Sequence, residues 1–499
     1  MNQTKEENVR IDRKLLSHYK AAFSYIGFIL FLVGLLILTP LLILISRHGE
    51  CKYSIGFFIP SFVLIVVGIG LWKFLRMPKP VILTVNEGGI IVLFSWVITF
   101  IFSALPFMFI LKLNFTQAIF ESVSGWTTTG LSVIDVTTAP YVILLWRSIM
   151  QLAGGAGLAI IMLTAIAGPT GPGFSIAEGR GEQLVPHVRQ SAKLVMSIYF
   201  GYIVVGIGAY YVSGMTLFDS INHAFAAIST GGFSTHQESI GYWNKASIEA
   251  VTIVLMIFGN LNFLTAYLLF HGKFKAVARN GEIRLMMIAI PVSFLILLLI
   301  VTQTLYSPVT KSIRVAIFES ISALTTTGFS TVSYNNWSSF GYLVLIILML
   351  IGGGTCSTAG GIKQYRIYLL YKSIIWEIRR AFFPRAAVIE NYIWQREQKD
   401  FITDQRLRQV SVFLFLYLAT YFVGSGILAA HGYELKDALF EFASALGTVG
   451  LSTGITAPSA SHLVLWTEIL GMFLGRLEFF IIIISIGKIA RDLVQLIKK

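Results

Sequence analysis

The amino-acid sequence predicts an all-α polytopic membrane protein made of four pseudo-symmetric helix–loop–helix repeats, which two extra transmembrane helices precede. Of its 499 residues, 55% are hydrophobic and only 13% are charged, whereas about a quarter of the residues in a soluble domain carry a charge. Ten apolar stretches are long enough to cross a bilayer core of about 30 Å. None of them alternates in the dyad pattern of a membrane β-barrel, so each is predicted to be helical.

The ten apolar stretches set the topology. They cover residues 22–46, 55–76, 88–111, 140–168, 194–214, 247–270, 285–306, 340–375, 409–430 and 462–497. If each stretch crosses once, both termini lie on the same side of the membrane. Most of the 38 Lys and Arg residues fall on that side, which the positive-inside rule makes cytoplasmic. The net charge of +13 therefore follows from topology, and we expect no nucleic-acid partner.

Four polar segments between the later apolar stretches share one motif and align on a single glycine. They read FESVSGWTTTGLS, NHAFAAISTGGFS, FESISALTTTGFS and FEFASALGTVGLS. We call the four residues that end at the aligned glycine the hairpin of each repeat: Thr127, Thr128, Thr129 and Gly130; Ser229, Thr230, Gly231 and Gly232; Thr325, Thr326, Thr327 and Gly328; Gly447, Thr448, Val449 and Gly450. A second glycine follows 24 to 27 residues later in every copy, at Gly154, Gly259, Gly352 and Gly475. A match at two linked places indicates a four-fold internal repeat.

The repeats divide the chain into five segments. Residues 1–80 form an N-terminal two-helix segment, and repeats 1 to 4 occupy residues 81–170, 171–272, 273–380 and 381–499. Each repeat is predicted to contain a helix, a short re-entrant helix, the polar hairpin and a second full helix.

The hairpins are candidates for a cation-binding ring. Non-helical backbone at membrane depth is tolerated only where protein buries it or where it lines a wet cavity. Four hairpins around one axis can replace the water shell of a cation with carbonyl and threonine oxygens, and such oxygen ligands suit a hard monovalent cation. Glycine reaches the unusual φ values that inward-facing carbonyls require, and the C-terminal dipoles of the short helices favour a cation. A single TTTG would suit an ordinary helix-terminating turn, but four aligned copies favour helix–pore-loop–helix repeats around one pore.

Five sequence motifs resemble the Trk/Ktr/HKT superfamily of cation transporters. They are FESVSGWTTTG, AISTGGFSTHQESIGYWN, LTTTGFST, GGGTCSTAGGIKQYRI and LGRLEFF. The resemblance covers nearly the whole chain and is strongest to the bacterial Trk-type potassium-uptake subunit, the TrkH/TrkG-like branch, which also has two extra N-terminal helices. It implies uptake of K⁺ across the bacterial inner membrane, with K⁺ bound in the hairpin ring as the transported ion and no organic cofactor.

The same resemblance implies a homodimer, with one pore in each monomer, and a cytosolic nucleotide-binding regulatory partner of the TrkA type. In this family the hairpin glycine of the first repeat discriminates K⁺ from Na⁺, and serine there accompanies Na⁺ permeation in some relatives. All four aligned positions of this chain are glycine, which favours K⁺. The second and fourth hairpins differ from the other two, so a Na⁺-permeable or cation-coupled symporter stays open as the alternative.

The segment IGGGTCSTAGGIKQYR, residues 351–366, interrupts the second helix of repeat 3 with five glycines. Such a density of glycine and hydroxyl residues cannot form a firm helix. It is not a phosphate-binding loop, because Ile362 separates the last glycine from Lys363 and no Ser or Thr follows the lysine. A kink for helix packing is one interpretation. The resemblance implies another, an intramembrane gating loop over residues 351–361, with these gating candidates: Gly352, Gly353, Gly354, Gly360, Gly361 and Lys363, the last near the cytoplasmic mouth.

Arg476 is the only arginine deep inside the last apolar stretch, and Glu478 lies close to it in sequence. A charge at membrane depth is costly and indicates a functional role by default. A buried ion pair between helices is the structural alternative. The resemblance implies that Arg476 projects into the pore below the hairpins, where its positive charge raises the barrier to cations.

Three glutamates and one histidine share the position nine residues before the aligned glycines: Glu121, His223, Glu319 and Glu441. Capping or packing explains them as well as attraction of cations does, so we do not assign them as ligands. Arg147 and Gln151 on the second helix of repeat 1 are expected to pack against a neighbouring repeat.

The basic, aromatic segment at residues 376–408 fits contact with lipid headgroups or docking of a cytosolic regulator. An enzyme is not expected, since the chain has no HExxH motif and no paired membrane aspartates, and its eight histidines are scattered.

Overall fold

The computed structural model describes residues 2–77, 85–157, 188–384, 390–395, 398–477 and 479–497. Eighteen helices account for most of this part of the chain, and they are labelled in chain order. They are α1 (Asn2–Leu38), α2 (Ser54–Phe74), α3 (Val85–Leu111), α4 (Phe115–Trp126), α5 (Tyr141–Ala156), α6 (Val188–Val212), α7 (Leu217–Ile228), α8 (Ala246–Asn260), α9 (Phe263–Phe270), α10 (Phe274–Arg279), α11 (Gly281–Leu297), α12 (Val309–Leu324), α13 (Ser339–Ile351), α14 (Gln364–Phe382), α15 (Asp404–Ala430), α16 (Leu435–Gly447), α17 (His462–Leu477) and α18 (Phe479–Ile497). A π-helical turn at Leu298–Thr302 and the short segment Gln303–Leu305 extend α11.

Helices α1 and α2 form the N-terminal pair, and small residues let them approach closely. A Cβ atom added to Gly68 would lie 2.6 Å from the backbone nitrogen of Phe31 and 2.7 Å from the Gly27 carbonyl oxygen. Two α-helical turns away from this crossing, the Ser61 hydroxyl donates a 2.7 Å hydrogen bond to the Gly34 carbonyl. Lipid is as apolar as the surface of these helices, so the hydrophobic effect does not drive them together. Close packing of small residues and interhelical hydrogen bonds of this kind do so instead.

The rest of the chain follows one plan four times. Each repeat has an outer helix, a short pore helix, the hairpin and an inner helix. The pore helices are α4, α7, α12 and α16, and their inner partners are α5, α8, α13 and α17. In α4, for example, the last nine residues, Ala118 to Trp126, are all buried. The centre of the molecule is therefore built from the pore helices, and the outer helices separate them from lipid.

Six helices are long and apolar enough to cross a membrane as single spans among the described residues, which confirms an all-α polytopic membrane fold. The remaining predicted crossings contain the four inner helices, each of which ends before its predicted stretch does. Helices α8 and α9 meet at an angle of 113°, α13 is followed by a loop at residues 352–363, and α17 ends at Leu477. Helix α5 ends at Ala156, and the rest of its predicted stretch, residues 158–168, lies outside the described part of the chain.

A β-hairpin follows α14 and was not predicted from the sequence. Its strands, β1 (Tyr392–Gln395) and β2 (Gln398–Phe401), pair in antiparallel register, with Tyr392 opposite Phe401. Ile393 packs with Tyr368 and Trp376 of α14 in a small apolar cluster. The basic segment at residues 376–408 thus contains a structured element beside α14.

We expect Gly68→Ala to lower stability, because the added methyl group enters the α1–α2 crossing; overpacking of this kind costs about 1–3 kcal/mol. Gly70→Ala is the matched control, since a Cβ atom at Gly70 would have no neighbour within 4 Å, and alanine favours a helix over glycine by about 1 kcal/mol. Thermal unfolding in detergent compares the two variants. Equal stability of both would show that the crossing is not tightly packed.

Candidate functional site: the ring of four hairpins

All four pore helices end in the same way, although their sequences differ. In repeat 1 the Thr129 amide donates to the Ser124 carbonyl at 2.9 Å and the Thr128 amide to the Gly125 carbonyl at 3.1 Å. The equivalent pairs of hydrogen bonds occur in the other three repeats, and they define a Schellman motif. The hairpins of repeats 2 and 4 therefore keep the backbone of repeats 1 and 3 despite their different side chains.

The second residue of each hairpin is a threonine in the left-handed region. The φ angles are 57° at Thr128 and 52° at Thr230, Thr326 and Thr448. A β-branched residue is strained there, and glycine is the usual choice at this position of a Schellman motif. All four repeats nevertheless carry threonine at this strained position.

The four aligned glycines close a ring. Each has a positive φ, between 71° and 105°, and each lies against the carbonyl of the preceding residue of the next hairpin. A Cβ atom added to any of them would collide with that oxygen, in the pairs Gly130 with Gly231, Gly232 with Thr327, Gly328 with Val449, and Gly450 with Thr129. The contacts run from repeat 1 through repeats 2, 3 and 4 and back to repeat 1. The structure therefore brings all four predicted hairpins together around one axis.

The first and third threonines of the symmetric hairpins brace the backbone. In repeat 1 the Thr127 and Thr129 hydroxyls are 2.7 Å apart, and Thr127 also donates to the Val123 carbonyl at 2.7 Å. In repeat 3 the hydroxyls of Thr325 and Thr327 are 2.8 Å apart. These hydroxyls hold the hairpin to its own pore helix, which leaves the carbonyls and the second threonine as the groups most available to a cation.

The irregular second hairpin is completed by a side chain from repeat 1. Gln151 on α5 donates to the Gly231 carbonyl at 2.5 Å and accepts a 3.1 Å hydrogen bond from the Phe233 amide. A Cβ atom at Gly231 would lie 2.6 Å from the Gln151 side-chain oxygen. The amide thus occupies the space that a third threonine would fill. The prediction that Gln151 packs against a neighbouring repeat is correct, but its bond to the hairpin could not be read from the sequence.

The side chain nine residues before each aligned glycine forms hydrogen bonds with the segment that follows the hairpin. The carboxylates accept hydrogen bonds from backbone amides beyond the glycine: Val133 to Glu121 at 3.1 Å, Thr331 to Glu319 at 2.8 Å and Thr453 to Glu441 at 2.8 Å. In repeat 2 the His223 ring lies 3.0 Å from the Ser234 hydroxyl. All four side chains are fully buried, which supports the packing interpretation.

A serine six residues before the aligned glycine gives a second brace, which the sequence analysis missed. Ser124 and Ser322 donate to the carbonyls of Leu131 and Phe329 at 2.6 Å, and Ser444 accepts from the Gly450 amide at 2.9 Å. The signal was present, because the motif has serine at this position in repeats 1, 3 and 4 and alanine only in repeat 2.

The second repeated glycine seats the inner helix on its own pore helix in three repeats. A Cβ atom at Gly154, Gly259 or Gly475 would collide with or crowd the carbonyls of Trp126, Ile228 and Leu446, respectively. Each of these carbonyls belongs to the residue four positions before the aligned glycine. The linked pair of glycines in the repeat therefore corresponds to one close contact beside the hairpin.

In repeat 3 the equivalent glycine, Gly352, instead begins the loop at residues 352–363, and this loop lies against the hairpins. The Gly360 amide donates to the Thr326 hydroxyl at 2.8 Å, and the hydroxyls of Thr358 and Thr230 are 3.2 Å apart. A Cβ atom at Gly360 would collide with the Thr448 hydroxyl. The loop thus contacts the strained threonines of three hairpins. The hydroxyl of the fourth, Thr128, and that of Thr448 are buried with no hydrogen-bond partner among the described residues.

The loop is anchored to the break between α8 and α9. The Gly354 amide donates to the Asn260 carbonyl at 3.2 Å, and the Thr358 amide donates to the Gly259 carbonyl at 3.2 Å. Glu282, at the start of α11, accepts from both the amide and the hydroxyl of Thr355 at 2.7 Å. Within the loop the Gly353 amide donates to the Gly360 carbonyl at 3.0 Å, so residues 353–360 form a compact turn. This turn packs against the hairpins.

Arg476 joins this loop to two other repeats. Its guanidinium donates to the carbonyls of Thr358 and Gly154, each at 2.6 Å. Lys363 lies at the end of the loop with a φ of 83°, and its ammonium group bonds to the Ala359 carbonyl. The predicted gating residues are therefore gathered on one side of the ring. Glu478, which was considered as a partner of Arg476, lies outside the described residues.

The whole arrangement has known relatives. The family model of TrkH, a cation transport protein, matches residues 53–491. The Trk system potassium uptake protein TrkH of Escherichia coli is 30% identical, over 94% of this chain and 98% of its own length, and an uncharacterized cation transporter of Methanocaldococcus jannaschii is 28% identical, over 95% and 96%. The crystal structure of the potassium transporter TrkH from Vibrio parahaemolyticus matches with a TM-score of 0.82 at 28% identity, over 93% of this chain and 98% of that one. The chain belongs to the TrkH family of cation transport proteins.

Proposed function

We propose that this protein takes up K⁺ across the bacterial inner membrane through a selectivity filter formed by the four hairpins. The observation that carries the proposal is the closed ring of contacts between each aligned glycine and a carbonyl of the next hairpin. The relatives include a potassium uptake protein and a potassium transporter, and we therefore propose K⁺ as the ion. Membership of a cation-transport family makes the chain a transporter and not an enzyme.

In this proposal the ion is held by backbone carbonyls and by the hydroxyls of the strained threonines. The ring carbonyls belong to Thr129, Gly231, Thr327 and Val449. The pore helices end at the hairpins, so the negative ends of their dipoles add to the attraction for a cation. The hairpin residues as a set, from Thr127–Gly130 to Gly447–Gly450, are the candidate K⁺ ligands.

The unequal hairpins keep the alternative function open, a Na⁺-permeable or cation-coupled symporter. In repeat 2 the ring carbonyl of Gly231 already accepts a hydrogen bond from Gln151, so it is a weaker cation ligand than an unpaired carbonyl. A ring with one weakened ligand discriminates less sharply between ions. Isotope flux of K⁺ and of Na⁺, measured with and without a proton gradient, separates uniport of K⁺ from the alternative.

The loop at residues 352–363 and Arg476 are proposed as the gate. The loop is bonded to the break between α8 and α9, and it contacts hairpins 2, 3 and 4. Arg476 holds the loop by the Thr358 carbonyl and adds a positive charge beside it. Opening of the pore would require these hydrogen bonds to break.

The proposed assembly is a homodimer in the membrane with both termini in the cytoplasm. A cytosolic nucleotide-binding protein of the TrkA type is proposed as the regulator. The segment at residues 376–408, with the β1–β2 hairpin, is the candidate docking site for that regulator or for lipid headgroups. The boundaries at residues 80, 170, 272 and 380 remain our division of the chain into its N-terminal pair and four repeats.

Expression of the chain with its regulator is expected to restore growth at low K⁺ to a bacterium that lacks K⁺ uptake. Gly130→Ser should impair this rescue and admit Na⁺, because the added side chain meets the Gly231 carbonyl at a φ of 97°. Gly454→Ser is the control for backbone strain alone, since Gly454 has a φ of 98° and no neighbour within 4 Å. Failure of the wild-type protein to rescue growth would overturn the proposed function.

Arg476→Ala is expected to raise K⁺ flux through reconstituted protein, because it removes the bond to the Thr358 carbonyl and a positive charge from the ion path. Arg491→Ala is the control for charge, since the Arg491 side chain is 68% exposed. Isotope uptake into vesicles at equal protein content measures both. An Arg476→Ala flux at or below the wild-type level would remove this residue from the proposed gate.

A further inference from the structure

The inner helices carry different residues at one equivalent position, and the difference is chemical. The glycines Gly154, Gly259 and Gly475 align the inner helices, because each packs on the same carbonyl of its own pore helix. Seven residues before them stand Arg147, Thr252 and Glu468. In repeats 1, 2 and 4 this side chain is paired with the one nine residues before the aligned glycine, either directly or through one intervening side chain.

In repeat 1 the pair is an ion pair. The Arg147 guanidinium lies 2.7 Å from the Glu121 carboxylate, and both side chains are almost completely buried. In repeat 2 neither partner needs a counterion, since Tyr210 donates to the Thr252 hydroxyl at 2.9 Å and packs edge-on against the His223 ring. Both repeats therefore satisfy the buried position without a net negative charge.

Repeat 4 places two acids together. Glu441 and Glu468 are both 0% exposed, and the Thr456 hydroxyl lies between them, 2.6 Å from Glu441 and 3.1 Å from Glu468. Neither carboxyl group has a Lys, Arg or His partner within the described residues. Oε1 of Glu468 is buried and has no hydrogen-bond partner in that part of the chain.

The hydrogen bonds around Thr456 can be counted proton by proton. Glu441 accepts from the Ser452 hydroxyl at 2.6 Å, the Thr453 amide at 2.8 Å and the Thr456 amide at 3.0 Å, as an ionised carboxylate does. Because the contact with Glu441 is the shorter one, 2.6 Å against 3.1 Å, we assign the single hydroxyl proton of Thr456 to the bond with Glu441. The Thr456 oxygen can then bond to Glu468 only as an acceptor, so the proton in that bond must belong to Glu468.

We propose that Glu468 is a protonated carboxylic acid, and that Glu468, Thr456 and Glu441 form a proton-binding site behind the hairpin of repeat 4. The bound proton lies on Oε2 of Glu468 and is donated to the Thr456 hydroxyl oxygen. Two adjacent carboxylates in a buried site cannot both ionise without a large cost, which favours one shared proton. In repeat 1 an arginine neutralises the charge of Glu121, whereas in repeat 4 the proton neutralises Glu468 and leaves Glu441 as the single charge of the pair.

Loss of this proton would act on the hairpin. A second negative charge beside Glu441 repels the carboxylate that holds the strand after Gly450 at Ser452 and Thr453. The ionisable group that acts on Glu468 is Glu441, and Tyr342 of α13 in turn lies close to Glu441; among the described residues of α4, α15 and α18, which also pack on α17, none adds a charge. This effect on transport rests on the proposed function, whereas the proton itself does not.

Infrared spectroscopy of the purified protein tests the site without reference to transport. Wild-type protein at neutral pH is expected to show the C=O stretch of a buried protonated carboxylic acid, and Glu468→Gln is expected to lose it. Glu434→Gln, which changes an exposed carboxylate of the same repeat, should leave that band in place. Thr456→Val should shift the band instead of removing it, because the acid loses its acceptor.

Retention of every protonated-carboxyl band in Glu468→Gln would overturn the proposal. A carboxylate band that responds to Na⁺ or K⁺ would also overturn it, since a cation would then hold the two acids together. Flux gives the second readout: wild-type uptake is expected to fall several-fold at alkaline pH, while Glu468→Gln, whose amide can still donate to Thr456, should keep its neutral-pH flux across that range. Absence of wild-type flux at every pH, with the infrared result intact, would contradict only the proposed function.

Discussion

Each hairpin glycine packs directly on a carbonyl of the neighbouring hairpin, and the rest of the structure depends on this contact. It has no room for a side chain, and it is made four times in one direction around the axis. The hairpins must therefore sit at fixed heights and fixed rotations relative to one another. Hydrogen bonds from buried side chains of the pore helices, such as Ser124 and Glu121 in repeat 1, hold each hairpin in the position that closes the ring.

The ring also explains how one chain tolerates unequal repeats. The backbone of the second hairpin is kept by Gln151 from repeat 1, and Val449 fills the third position of the fourth hairpin, fully buried. Repeat 3 departs most in its inner helix, where Gly352 starts the loop instead of seating the helix on the pore helix. The nearly symmetric ring is thus held by different contacts in the different repeats. The proposed gate belongs to repeat 3, whose inner helix lacks the glycine contact with its own pore helix.

Much of this arrangement could be predicted from the sequence, because it is written as local repeats. The aligned glycines and the apolar stretches around them indicated the four-fold plan, and the five glycines of residues 351–361 indicated a break in the third inner helix. The contacts of that loop with Asn260 and Glu282 could not be predicted, since they join residues far apart in the chain. Arg476 was recognised as important from its charge alone, whereas its partners Thr358 and Gly154 required the fold. The β1–β2 hairpin was missed, because its short strands lie within a charged segment without a clear alternating pattern.

The proposed function requires that the four hairpins form one cation site on the axis. The most direct test is anomalous X-ray scattering from crystals of the protein grown in Rb⁺ or Tl⁺ in place of K⁺. Anomalous density is expected inside the ring, at coordination distance from the carbonyls of Thr129, Gly231, Thr327 and Val449. An intact ring without anomalous density, in crystals that bind the ion elsewhere in the chain, would contradict it.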